Sequence, residues 1–443
     1  MKIIGHGNII TCGEDNHFMS DGAILIKGNK IIEVGDTSSI QSRYPEAEFF
    51  NANGKLVLPG FINAHMHLYS TFSRGMALSG EPARNFKEIL EKLWWKLDKE
   101  LKSEDEIYYS AMVSMLEGIK CGTTSIIDHH ASFGLINGSL DIIERAAKDC
   151  GVRSVLCFET SDRWGKNLCS ESIEENVRFI KKTRSDRDSL ISSTFGLHAS
   201  LTLSDDTLRR CLEEASILNS GFHVHVAEGI EDVEDSLSKS GKRVVERLYD
   251  AGILSEKTLA VHCVHINERE IALLSTTKTN VVHNPESNMN NAVGVPPIIE
   301  MDKAGVRMAL GTDGYTPSML ESLKVAYILP KLKYEDPRAG NDVVERMLFR
   351  NNAHILGLYF NNPAGIIKEG ALADIVVLDY SPPTPLNSIN YFYHMIFGIR
   401  DSDVDSVLIN GEFVFKNREF TKVDYEEVMA KSREVAKRFW EKM

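Results

Sequence analysis

Ten of the fourteen histidines of this chain fall in short clusters, most of them at the end of an apolar run. His65 and His67 stand in "INAHMHLYS", His129 and His130 in "DHH", His198 in "GLHAS", and His223 and His225 in "HVHVAE". His262 and His265 follow in "VHCVH", and His283 opens "HNPESN", which also holds Asn288. Charged groups keep them company: Glu159, Asp162 and Arg163 in "FETSDR", Glu228 after His225, and Asp313 in "GTDG". On an extended strand side chains alternate faces, so His65 and His67 point the same way. One isolated histidine is more often a fixed core or surface group than a ligand. Many converging on one rim reverse that balance, and metal binding becomes the better reading.

The elements that would bring these clusters together can be read from the spacing. Apolar runs at 56–65, 123–130, 152–161, 190–200, 221–228, 258–265, 279–284 and 307–313 alternate with amphipathic helical segments. One such segment, "SEDEIYYSAMVSMLEGIKCG", opens on a capping box of Ser103 with Glu106 and closes at Gly122. Eight strand–helix units over some 300 residues predict an α/β fold, a (β/α)8 TIM barrel, whose active site lies at the C-terminal strand ends. Each cluster above ends one of these runs. A doubly wound open sheet is the alternative, and no GxGxxG follows an early strand to support it. The chain ends have a different texture, with short β runs joined by Gly-Asn and Asn-Gly turns. They predict a small β-sandwich-like domain built from residues 1–58 plus 363–443, closed by an amphipathic C-terminal helix, around a barrel at 59–362.

The sequence has 443 residues, 43% hydrophobic and 26% charged, with a net charge of −13. That excludes no enzyme class, but it argues against nucleic-acid and anionic-membrane binding. No apolar run nears the ~20 residues of a membrane span. The first residues lack a signal-peptide core, and seven cysteines form no CxxC pair. A cytoplasmic protein with reduced thiols is expected.

Taken in order, "PGFINAHMH", "HVHVAE", "AVHCVH", "HNPESNMNNAVGVPPI" and "GTDG" resemble the amidohydrolase superfamily, in its triazine-hydrolase and nucleobase-deaminase branch. That branch includes chlorohydrolases, guanine and 8-oxoguanine deaminases, and S-adenosylhomocysteine deaminases. "NFKEILEKLWWKLDKEL", "IIDHHAS" and "ETSDR" most resemble the SsnA-type aminohydrolases. The resemblance covers essentially the whole chain. It implies His65, His67, His225 and Asp313 as ligands of one divalent metal ion, a donor set that suits Zn²⁺ or, second, Fe²⁺. It implies Glu228 as proton shuttle, His262 as the group orienting the attacking water, and Asp313 as its base. No lysine stands in the fourth strand run to bridge a second metal.

His198, Arg163, His129, Glu159, His283 and Asn288 are candidate substrate contacts. An ordinary ion pair is the competing reading for Arg163, and core packing for His223, Trp94 and Trp95. Strand parity turns only one of His129 and His130 inward.

The expected reaction is hydrolytic deamination of an amino-substituted heterocycle, a purine or a relative of one. Ring opening of a cyclic amide or amidine is the alternative, and hydrolytic dechlorination a third. A non-catalytic barrel would have lost one of His65, His67, His225, Glu228, His262 and Asp313, and all are present. The partner is a small heterocycle, and family resemblance suggests a homo-oligomer.

Overall fold

The β-branched runs at the two chain ends meet in one sheet. Lys2–Ile10 pairs antiparallel with Phe18–Lys27 and parallel with Glu48–Asn51 and Leu56–Pro59. Ile375–Leu378 pairs antiparallel with Leu56–Pro59 and with Val404–Ile409. Lys30–Asp36 closes one edge, and Glu412–Lys416 with Glu419–Phe420 the other, giving nine strands among the described residues. Alternation along the strands gives the sheet two apolar faces. Ile4, Ile24, Ile26 and Val57 join one buried cluster, and Ile3, Ala23 and Leu25 another with Ile40. The computed structural model describes residues 1–13, 16–77, 80–185 and 190–443.

Between the ends the pairing is parallel. Phe61–Met66, Thr123–Asp128, Arg153–Leu156 and Ile191–Ser193 form one sheet. Phe195–Ala199, Phe222–Val226, Leu259–His262, Asn280–His283 and Met308–Leu310 form a second. Isolated parallel bridges link the two sheets on both sides, Met66 with Asp313 and Thr160 with Leu197. At the first seam the amides of Thr312 and Asp313 both donate to the His65 carbonyl, at 3.1 and 3.0 Å. One apolar cluster takes side chains from both sheets, among them Ile62, Ile127, Val261 and Ala309.

Two runs read as single strands are each divided. The 56–65 run breaks at Gly60, where an added Cβ would lie 2.1 Å from Thr124. Its first half serves the end sheet and its second half the parallel one. The 190–200 run breaks at Thr194, so its halves belong to different parallel sheets. The 152–161 run is ladder-paired only over Arg153–Leu156. The predicted capping box is present: Ser103 Oγ accepts from the Glu106 amide at 3.3 Å and Glu106 accepts from the Ser103 amide at 3.1 Å, opening the helix Glu104–Lys120.

Two contacts tie the chain ends to the parallel strands. In the C-terminal helix Tyr425–Trp440, the Phe439 ring packs 5.9 Å from Phe72 and Trp440 Nε1 donates to the Phe72 carbonyl at 2.7 Å. This fixes the turn Leu68–Ser73, which leaves directly from His67. Arg153, fully buried, donates through Nε to Asp374 Oδ2 at 2.7 Å, and Asp374 leads into the end-sheet strand. Arg153→Ala strands that carboxylate without its counter-ion, a loss of about 3–5 kcal/mol. It should lower both the Tm and the urea midpoint, and a wild-type Tm would show that the pair adds no stability.

All seven cysteines are free thiols. Among the described residues no helix is long and apolar enough to cross a membrane.

Candidate functional site

The seam at Met66 and Asp313 carries the site. His65 is the last residue but one of the Phe61–Met66 strand, and His67 follows the strand in extended geometry. His225 lies in Phe222–Val226, and Asp313 lies three residues past Leu310. His67 Nε2 is 3.2 Å from His225 Nε2 and 3.1 Å from Asp313 Oδ1, and His65 Nε2 is 3.5 Å from that same oxygen. All four side chains are buried. Gly311 permits the approach, since a Cβ there would meet the His65 carbonyl at 2.8 Å and Asn284 at 2.5 Å.

The second nitrogen of each ring is already engaged. His67 Nδ1 donates to the His129 carbonyl at 2.6 Å, and His225 Nδ1 to the His198 carbonyl at 2.8 Å. A carbonyl can only accept, so in the neutral rings both Nε2 atoms carry lone pairs. His65 Nδ1 lies 2.8 Å from His223 Nε2, which leaves the buried His65 Nε2 without a hydrogen-bond partner. Burial holds His65 down at about 3, and burial plus neighbouring imidazoles hold His225 well below its ordinary value. For His67 burial also opposes protonation, but Asp313 and Glu159 outweigh it and lift the ring to about 9. Lone pairs converge beside a carboxylate at a point that draws positive charge. This donor set fits a divalent metal ion.

Beside it, His262 Nε2 lies 3.3 Å from Glu228 Oε2 and 3.6 Å from Asp313 Oδ2. His262 Nδ1 donates to Asn288 Oδ1 at 2.7 Å, so Nε2 is again the free lone pair. Burial, reinforced by the Asp313 charge, pushes Glu228 well above the usual carboxylate range. Burial would raise Asp313 too, but the imidazoles of His65, His67 and His262 facing it hold it well below. Neighbouring carboxyls pushed in opposite directions make a proton donor and an acceptor. His262 and Asp313 have φ of 72° and 58°, left-handed values that cost non-glycine residues roughly 1–3 kcal/mol each.

Two contacts escaped sequence reasoning: Ser287 Oγ donates to Asp313 Oδ2 at 2.6 Å, and Asn291 Nδ2 to Glu228 Oε1 at 3.2 Å. Their signal was present in "HNPESNMNN". Positions 287, 288 and 291 share one face of the helix that starts at Pro285.

A cavity opens over these atoms, with Tyr69, Phe86, Leu90, Trp94, Trp95 and Tyr315 among its walls. A π-helical turn, Leu90–Trp94, interrupts the helix Phe86–Glu100 and lets both tryptophans line the cavity. Of the candidate substrate contacts, Glu159 and His198 reach this cavity. Arg163, His129, His283 and Asn288 are not among the residues lining it. Arg163 forms the competing ion pair, its Nη2 bonding Asp98 and lying 2.9 Å from Glu159 Oε1. His129 turns toward the His65–His67 side, its Nε2 donating to the His223 carbonyl at 3.1 Å, while His130 bonds Ser132. His283 is buried and driven down to about 3 by that burial.

The amidohydrolase family matches residues 56–414. Over 441 residues the chain is 30% identical to a 5-methylthioadenosine/S-adenosylhomocysteine deaminase of Pelotomaculum thermopropionicum, covering 98% of both chains. It is 30% identical over 440 residues to a 5'-deoxyadenosine deaminase of Methanosarcina acetivorans, covering 98% of this chain and 97% of that one. An adenosine deaminase from Xanthomonas campestris with bound zinc has the same fold, with a TM-score of 0.87 at 24% identity, covering 99% of this chain and 98% of its own. With that match running through every strand of the histidine–aspartate cluster, and relatives aligned from end to end, the chain belongs to the amidohydrolase family.

Proposed function

We propose that this protein is a divalent-metal-dependent aminohydrolase that converts the C–NH2 of an adenosine-type or related heterocycle to a carbonyl, releasing ammonia. One observation carries the reading. A proton-bearing Glu228 and an ionised Asp313 flank the free His262 Nε2, beside three convergent imidazoles and below an aromatic-walled cavity. His65, His67, His225 and Asp313 would hold the ion, and three imidazoles with one carboxylate suit Zn²⁺, with Fe²⁺ second. When bound, the ion supplies a Lewis acid that brings a water's pKa towards ~7. The two bridged parallel sheets are read as one closed (β/α)8 barrel, and the end sheet as a separate small domain.

The chain's own groups then divide the proton work. His262 Nε2 accepts a hydrogen bond from the attacking water and aims it, with Asn288 fixing the ring. Asp313 takes the water's proton. Glu228 gives its proton to the ring nitrogen beside the attacked carbon, takes one back from the new hydroxyl as the carbonyl forms, and the proton held by Asp313 passes to the leaving amine. The new C–O bond forms, the C–N bond breaks, and ammonia leaves. Glu159 and His198, whose polar atoms lie within 4.8 Å of a His225 nitrogen, orient the substrate beside that histidine.

Incubation of the metal-loaded enzyme with 5'-deoxyadenosine should release ammonia, stop on chelation, and resume when Zn²⁺ is restored. Proton release without ammonia, or turnover indifferent to chelation, would overturn the reading. His223 enters the same scheme as the group that orients His65. His223→Leu should weaken metal binding by roughly 10–100-fold in a competitive chelator titration, with the fold kept.

A further inference from the structure

We propose that the cavity selects a neutral or cationic heterocycle and rejects one that carries a carboxylate or phosphate. This inference rests on the aminohydrolase reading and adds the charge class of its substrate. The carboxylates lining the cavity are Asp98, Glu159, Glu228, Asp232 and Asp313, and no lysine or arginine lines it among the described residues. Three of these are accounted for. Asp313 and Glu228 belong to the reacting centre, and Asp232 accepts the backbone amides of Leu201 and Ala227, both at 2.9 Å. Asp98 and Glu159, both buried, remain.

Their one guanidinium is shared. Arg163 Nη2 bonds both carboxyls, Glu159 also faces His129 Nδ1 at 3.4 Å and His198 Nε2 at 3.5 Å, and Asp98 Oδ1 accepts from Trp164 Nε1 at 3.2 Å, so one guanidinium is divided between two acids. Among the described residues, Arg163 does not line the cavity, and its buried Nε and Nη1 have no hydrogen-bond partner. Its Cζ sits 4.6 Å from the Phe133 ring and 5.9 Å from the Trp95 ring, and it opens instead on a neighbouring cleft behind Trp95 and Leu201.

Of the other cations of that cleft, exposed Lys87 faces Glu91 at 3.9 Å, and the remaining two are engaged. Arg247 bonds Asp205 and the carbonyls of Ser200 and Leu203, and Lys239 bonds the Leu201 carbonyl and Asp235. Beside Asp98 and Glu159, rather than at the metal ligands, a ligand anion would face two carboxyls with no lysine or arginine among the described lining residues to answer it. An ammonium or N–H donor would meet carboxylate oxygens, each of which can accept a second hydrogen bond. Burial, set against Arg163, leaves Asp98 at about 7, so a bound cation would also draw it to full ionisation. The faces of Trp94 and Trp95 favour the same sign of ligand.

The test is equilibrium binding to the metal-loaded Glu228→Gln enzyme, by calorimetry, with three matched probes. These are 5'-deoxyadenosine, 5'-amino-5'-deoxyadenosine and adenosine 5'-carboxylate. The carboxylate should bind roughly tenfold or more weakly than the neutral probe, and the amine at least as tightly as it. Adding Asp98→Asn, or Glu159→Gln should the first fail to fold, should narrow the amine-to-carboxylate ratio by about tenfold. A carboxylate bound as tightly as the neutral probe, or a ratio unmoved by both variants, overturns the proposal. If the wild-type enzyme still releases ammonia from 5'-deoxyadenosine in that case, charge selection falls and the aminohydrolase reading stands. Neither ammonia nor binding of any probe retires both.

Discussion

Glu228→Gln is expected to keep its metal and its melting temperature while kcat falls roughly 10²–10⁴-fold, the usual contribution of a positioned general acid–base. The amide has the carboxyl's shape, and its oxygen can still accept from Asn291, which donates to Glu228 at 3.2 Å. Burial and the Asp313 charge push Glu228 well above the usual carboxylate range, so a neutral amide is the closer match to its favoured form. What it removes is a proton that can be given up and regained. Because the loss falls on the reaction rather than on binding, kcat should drop far more than KM moves. Metal analysis and a thermal melt beside the steady-state assay separate this outcome from misfolding. Wild-type turnover in Glu228→Gln would remove Glu228 from the mechanism.

Asp313→Asn should be more damaging still, because one carboxylate has two tasks. Its Oδ1 faces His67 and His65, and the other oxygen is held by Ser287. The amide loses the negative charge that favours a cation there, and its NH2 can donate into the very lone pairs that a metal would use. Bound metal should fall well below one ion per chain, and turnover should drop by roughly 10³-fold or more, since several kcal/mol of barrier lowering go with the ion. Excess Zn²⁺ should recover part of the occupancy and little of kcat, because the proton acceptor is also gone. A bound ion stabilises the folded state in proportion to its affinity. The wild-type melting temperature should therefore fall on chelation, and that of Asp313→Asn should hardly respond. Full metal content in the variant would exclude Asp313 as a ligand.

The histidine pairs were legible because a period of two on an extended chain fixes which side chains share a face. His65 and His67 share one, with ring centroids 4.8 Å apart. Parity likewise turned His129 and not His130 toward them. The limits of the ladders were not legible in the same way. Gly60 and Thr194 sit inside continuous β-forming runs, and each run divides because its two halves meet different neighbours. Arg163 could be read from sequence as a ligand-binding group or as half of an ion pair. Only the placement of Asp98, 65 residues earlier in the chain, decides for the pair.

By itself the sequence determined the chemistry on offer: imidazoles and carboxylates at strand ends, in numbers and spacings that local backbone geometry turns the same way. Only the tertiary structure decided which nitrogen of each ring is free, that Ser287 and Asn291 hold the two carboxyls, and that the cavity has acid side chains and, among the described residues, no lining lysine or arginine. The physical reason is range. Side-chain direction follows from a residue's own backbone and its neighbours two positions away. Tautomer, pKa and cavity charge are set by partners brought from tens to hundreds of residues away, after the apolar strands have chosen how to pack.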